Sequence, residues 1–189
     1  ILANDYSKYS QFIAKKTISR NSKIDKFNTE VVNIREKIIK IVSNTNDMIK
    51  KSNHTFYGKI NYEISHHYGL DKFNKFGIVI LNIINEEYCK KILVIFPGQT
   101  HPEQFHKKKT ETFHILSGEI ILKLNNKIIK LKKGNLVTIK KNSKHEFKSL
   151  KGAVIEEVST THFKKDSYYT DLNISKNLNR KTVVNYYWE

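Results

Sequence analysis

Between residues 56 and 162 apolar side chains come in short runs, most of them closed by glycine, asparagine or lysine. KFGIVILNII (75–84), KKILVIFPG (90–98), ETFHILSGEIILKLN (111–125), KIIKLKKG (127–134), NLVTIKK (135–141), HEFKSL (145–150) and AVIEEVSTTH (153–162) are rich in β-branched and aromatic residues. Each predicts a strand. Asn125-Asn126 predicts a hairpin turn, and Gly134-Asn135 and Lys151-Gly152 predict two more turns. Many short strands at this spacing predict a sandwich or small barrel. Upstream the period changes. EVVNIREKIIKIV (30–42) sets Val31, Ile34, Ile38 and Ile41 three and four apart, which predicts an amphipathic helix capped at Asn28 or Thr29. SNTND (43–47) is expected to end it, with a short helical piece after the break. Its apolar stripe must be covered by the barrel or by a partner.

The expected layout is a polar arm plus amphipathic helix over 1–54, a β-barrel over 55–165 and an aromatic-rich extension over 166–189 that packs back on the barrel. A chain of 189 residues buries a sizeable core without a disulfide. The single cysteine, Cys89, reads as a small buried hydrophobe and fits a reducing compartment. ILANDYSKYS lacks the basic start and apolar run of a signal peptide, and the longest apolar run, ILVIF (92–96), is too short to cross a bilayer. A cytoplasmic protein without a membrane partner is expected. The net charge of +16 invites a nucleic-acid reading. Only Arg20, Arg35 and Arg180 are arginine, however, and phosphate and base readers favour the guanidinium fork. No nucleic-acid partner is expected. A positive rim that draws in an anionic small molecule fits better.

HPEQFHKKKTETFHILSGE (101–119) carries the candidate chemistry. Alternation along a strand puts Glu111, Phe113 and Ile115 on one face. Gln104 and His106 also lie two apart, and His145 lies two before Phe147. A carboxylate on an inward apolar face is costly unless it is paired or bound to a cation. His106, Glu111 and His145, with the Gln104 amide, are a donor set for Zn, Mn, Fe or Ni. The alternative is a barrel in which these groups hydrogen-bond one another. Glu156 and Glu157 alternate faces, so one of them points inward as a candidate acid or base. Tyr168, Tyr169, Tyr186, Tyr187 and Trp188 form a lid, stack on a sugar, or pack on the barrel or a second subunit.

These spacings resemble the cupin family. Its first motif is matched by Gly98, His106, Glu111 and Gly118; its second keeps Gly134 and His145 and replaces its Pro and Gly with Lys140 and Asn142. Gln104 stands where the family's first motif histidine belongs, and His101 is near enough to reach the same centre. The resemblance implies a mostly β fold, an antiparallel double-stranded β-helix or jelly-roll barrel, here with an N-terminal helical arm. It also implies a divalent metal and a homodimer. YEISHHYGLDKF (62–73), NEEYCKKILVIFPGQTHPE (85–103), ETFHILSGE (111–119), EEVSTTH (156–162), DSYY (166–169) and RKT (180–182) further resemble the C-terminal cupin domain of N-acetylneuraminate (sialic acid) synthases. That implies a sugar or anionic sugar derivative as ligand and a place in nonulosonic acid biosynthesis. The phosphoenolpyruvate-condensing barrel of those enzymes has no counterpart here. If the domain turns over, isomerisation or epimerisation of a sugar is expected, with Glu157 or His162 as the base. His66, His67, His101, Lys109 and Thr160 would then contact the substrate. The rivals are a non-catalytic ligand-binding or dimerisation module and a metal-dependent dioxygenase.

Overall fold

The computed structural model describes the backbone of residues 3–188 and the side chains of residues 23–188. It divides into two compact units, Ile1–Asn44 and Thr45–Glu189. The first unit is helical. One helix, α1 (Ala3–Lys51), runs 49 residues and supplies all of its described secondary structure. The expected break at SNTND does not occur. Ser, Thr and Asn are indifferent helix formers because their side chains compete for backbone groups. Here Thr45 and Asn46 are buried, and Asn46 Oδ1 accepts a 2.8 Å hydrogen bond from Tyr62 Oη. Tertiary bonding outweighs local propensity. The helix ends where Asn53 turns left-handed at φ 62°. The amides of His54 and Asn53 then reach back to the carbonyls of Ile49 and Lys50 and close a Schellman motif.

The second unit is an antiparallel sheet of eleven strands: β1 (Gly58–His66), β2 (Gly77–Asn85), β3 (Tyr88–Ile95), β4 (Thr100–Phe105), β5 (Glu111–Leu124), β6 (Lys127–Lys132), β7 (Leu136–Ile139), β8 (His145–Lys148), β9 (Ala153–Thr160), β10 (Tyr168–Tyr169) and β11 (Lys181–Trp188). The strand order is β10-β4-β8-β5-β9-β3-β2-β1-β11, with β6 and β7 paired to β5 as well. β5 joins the two halves. Residues 111–118 pair with β9, and the stretch from Glu111 to His114 also pairs with β7. Residues 119–124 pair with β6, and the last four of these also with β8. The register shifts between Ile115 and Ser117, and Gly118 takes φ 76°, so the strand bends there. The result is a curled, mostly β fold with a helical N-terminus.

The seven sequence-read strands all form. Asn125 (φ 53°) makes the β5–β6 hairpin turn, and Asn142 (φ 64°) supplies the left-handed residue at the replaced glycine. The apolar faces meet in one core built on Ile78, Leu93, Ile95, Phe113, Ile115, Ile120, Leu122, Phe147 and Ile155. β10 pairs with β4, and β11 pairs along its whole length with Gly58–Ser65 of β1. Trp188 Nε1 donates to Tyr62 Oη at 2.8 Å, next to the Asn46 bond. Among the described residues no helix is long and apolar enough to cross a membrane.

Candidate functional site

A cleft opens between the two halves of the curled sheet. β4, β5 and β8 build one wall. Alternation along β5 turns Glu111 and Phe113 inward, and β8 does the same for His145 and Phe147. Gln104 of β4 pairs opposite His145, and His106 follows two residues on. The structure brings His106, Glu111 and His145 together, all buried, with one ligand atom from each lying within 4.8 Å of the others. Glu111 Oε1 is 3.1 Å from His145 Nε2 and 3.7 Å from His106 Nε2.

The hydrogen bonds behind the imidazoles fix their tautomers. His106 Nδ1 meets the Asp166 carbonyl at 2.7 Å, and His145 Nδ1 meets the Ser143 carbonyl at 3.1 Å. A carbonyl only accepts, so each Nδ1 carries a proton and turns Nε2 toward Glu111. His106 Nε2, Glu111 Oε1 and the neighbouring Gln104 Oε1 are buried without a hydrogen-bond partner. A buried lone pair is costly to leave unmatched. Two imidazoles with backbone-anchored Nδ1, one carboxylate oxygen and an amide oxygen form the donor set of a divalent transition metal. The residues present fit such an ion. Gln104 Nε2 stands 3.4 Å from His145 Nε2. Burial first, then the Lys109 charge, holds the His106 pKa below the ordinary range, so its ligand form is the resident one.

Glu111 divides its two oxygens. Oε1 faces the imidazoles, and Oε2 is bonded to Lys109 Nζ. Lys109, 3% exposed, also donates to Glu157 Oε1 at 2.7 Å. Burial alone would lower its pKa; the Glu157 and Glu111 charges outweigh that and raise it. Glu157 comes from β9 and points inward, while Glu156 points out to Lys90 (2.8 Å) and His114 (3.4 Å). Burial pushes the Glu157 pKa up, but Lys109 and Lys91 together hold it low, so the carboxylate is ionised. Among the described residues its Oε2 has no hydrogen-bond partner and is left to the cleft. His162 also lines the cleft. Burial, then Lys91 and Lys109, lowers its pKa to about 3, and its Nδ1 is unpartnered.

His101 and Lys109 line the cleft; His66, His67 and Thr160 do not. His101 stacks on Phe147 (4.9 Å) and meets His67 edge-on (4.8 Å). Burial keeps its pKa well below the usual value. His67 lies behind it, bonded through Nδ1 to the Phe76 carbonyl and 3.0 Å through Nε2 from Tyr169 Oη. His66 faces Thr182 at 3.1 Å, and Thr160 Oγ1 accepts the Thr110 amide at the exposed end of β9.

Several lining or supporting residues escaped the sequence. Lys91 is buried beside the cleft, opposite Glu157 in the β3–β9 register, and makes no ion pair among the described residues. Glu63 and Lys181, 2.6 Å apart, line the far wall. Asp166 holds the loop after β4: its carboxylate accepts the amides of Lys107, Lys108 and Lys109 at 3.0–3.1 Å, and its carbonyl orients His106.

Residues 91–156 match the cupin domain family Cupin_2. The D-lyxose/D-mannose isomerase of Thermosediminibacter oceani is 27% identical, over 78% of this chain and 94% of its own length. The D-lyxose ketol-isomerase of a Thermofilum species is 30% identical, over 58% of this chain and 77% of its own. Among solved structures, the L-ribose isomerase of Cellulomonas parahominis superposes with a TM-score of 0.63 at 14% identity, covering 75% of this chain and 94% of that one. That likeness speaks for the fold. These relatives are sugar isomerases, not C-terminal domains of sialic acid synthases, so the second sequence resemblance gives way to them. With 30% identity across 77% of the Thermofilum protein, the chain belongs to the D-lyxose ketol-isomerase family, sugar isomerases built on a cupin domain.

Proposed function

We propose that this chain interconverts an aldose and its ketose, with His106, Glu111, His145 and the Gln104 oxygen holding a divalent metal. The observation that carries the reading is the pairing of two features in one cleft. The first is a set of unmatched Nε2 and Oε1 atoms; the second is a buried carboxylate and ammonium beside it. A divalent cation there would supply Lewis acidity to two adjacent sugar oxygens. The protein's own residues do the rest. Glu157 Oε2, ionised and free of protein bonds, takes the proton from C2 and returns it to C1. Lys109 fixes Glu157 and places a positive charge where the enediolate carries its negative one. The neutral His162 ring exchanges the hydroxyl proton between O1 and O2. Lys91 faces the distal part of a sugar, as a donor to its hydroxyls or as counter-ion to an anionic substituent. The substrate remains a sugar or anionic sugar derivative, inside a homodimer of cytoplasmic location.

The test is incubation with Mn, Fe, Zn or Ni and D-lyxose, D-mannose, L-ribose or a sugar phosphate, in deuterated water. Ketose formation with deuterium at C2 of recovered aldose is expected, and Glu157→Gln should lower kcat at least about a hundredfold. Absence of both with every metal and sugar would overturn the proposal. Gln104 in place of a third imidazole favours one second reading, the non-catalytic binding module. A sugar-dependent rise in Tm without turnover would identify it.

A further inference from the structure

The apolar stripe of α1 has a period of its own. From Ile24 to Ile41 the spacing alternates strictly three and four: Ile24, Phe27, Val31, Ile34, Ile38, Ile41. That is a heptad seam, with Ile24, Val31 and Ile38 at a and Phe27, Ile34 and Ile41 at d. A 3.5-residue repeat differs from the 3.6 of a straight helix and is the pattern of helices that wind around one another. Ile24, Phe27, Val31 and Ile34 are 49%, 64%, 47% and 42% exposed, while Ile38 is half-buried and Ile41 and Val42 are buried, so the open part of the seam runs from Ile24 to Ile34. Leaving such a row in water is costly.

We infer that this seam is a self-association surface whose occupant is a second copy of the same helix, parallel and in register. The flanking charges support that occupant. Lys23, Glu30 and Lys37 fall at g, and Asn28, Arg35 and Val42 at e. In a parallel, in-register pair each g residue faces the e residue five positions on in its partner. Glu30 then meets Arg35 in both directions, and no g–e pair sets like charges together. Neither Glu30 nor Arg35 makes an ion pair within its own chain among the described residues. The interaction is independent of the chemistry in the cleft and does not rest on the isomerase reading.

The test uses the full chain. Phe27→Cys places a thiol on the seam, and Glu36→Cys places one at f on the outer face; the native Cys89 is fully buried. Mild oxidation should link chains through position 27 and not through position 36. Ile34→Glu should lower the mass in analytical ultracentrifugation while the far-UV spectrum of the sheet is retained. Glu30→Arg should weaken association, and Glu30→Arg with Arg35→Glu should restore it, an exchange that misfolding would not reverse. Equal linking at 27 and 36, no linking at 27, or a mass unchanged by Ile34→Glu would overturn the inference. A foreign helix or the chain's own barrel would then be the cover.

Discussion

Lys109 holds the centre of the site together. It lies between two buried carboxylates, Glu111 and Glu157, and no water-exposed route relieves their repulsion. Replacing it by methionine keeps the volume and removes the charge. Lys109→Met should destabilise the metal-free chain by about 3–5 kcal/mol in urea denaturation, because two uncompensated carboxylates stay buried. An added divalent cation should recover part of this if it binds at Glu111 as proposed, since it would restore one of the two charges. An unchanged urea midpoint would mean that Glu111 or Glu157 takes up a proton instead. Gln104 allows a second test in the opposite direction. Its Oε1 is buried beside His145 without a partner. Gln104→His offers an imidazole nitrogen in its place, a better ligand for a borderline metal than an amide oxygen. The variant should lose metal to a chelator more slowly than the wild type, read by elemental analysis after dialysis.

β5 carries the architecture, because it belongs to both halves of the sheet and supplies Glu111 to the cluster with His106 and His145. Its bend depends on Gly118. A Cβ there would meet the carbonyl of Gly152, and the φ of 76° is one that side-chain-bearing residues avoid. Gly118→Ala should cost more than about 2 kcal/mol by urea denaturation, with strain and collision adding. β5 was also the most legible strand, and that legibility extended to the site. Period two puts Glu111 beside Phe113 on the inner face, and the same rule picked out His106 and His145, which the structure gathers around it. β1 and β11 were not read as strands. Lys59, Asn61, Glu63, Lys181 and Asn185 break up their apolar runs, although exposure alternates strictly along β11. Lys91 was hidden for a different reason. KKILVIF reads as one buried run, and which of Lys90 and Lys91 faces the cleft is decided by pairing with β9. Asp166 acts through loop amides and one carbonyl, which leave no side-chain pattern in the sequence.

The charge of the assembled protein is lopsided, with +16 spread mostly on lysine, yet the cleft itself is kept close to balance. Glu111 and Glu157 answer Lys109, Glu63 answers Lys181, and burial holds His101, His106 and His162 neutral. That neutrality makes the fold sensitive to acid. Burial lowers His67 to about 4 and His162 to about 3, and it lowers His101 as well. In the unfolded chain each of these titrates near 6.5. Between the folded and unfolded values the unfolded state binds more protons, so stability rises with pH and falls as the medium is acidified. The full contribution is present above about pH 6.5. It is lost as pH drops through that value toward the folded pKa. For His67 alone the loss at pH 5 is about 2 kcal/mol. Lys109 works the other way: its raised pKa gives stability that fails only in strong alkali, so the curve should be flat from about pH 7 to 9. Thermal melts of the metal-free chain from pH 9 to 5 should show this plateau and then a falling Tm. In His67→Gln the plateau should be lower, because the bonds to Phe76 and Tyr169 are gone, but the acid limb should be shallower. A limb of unchanged slope in that variant would assign the acid sensitivity to the other buried histidines and not to His67.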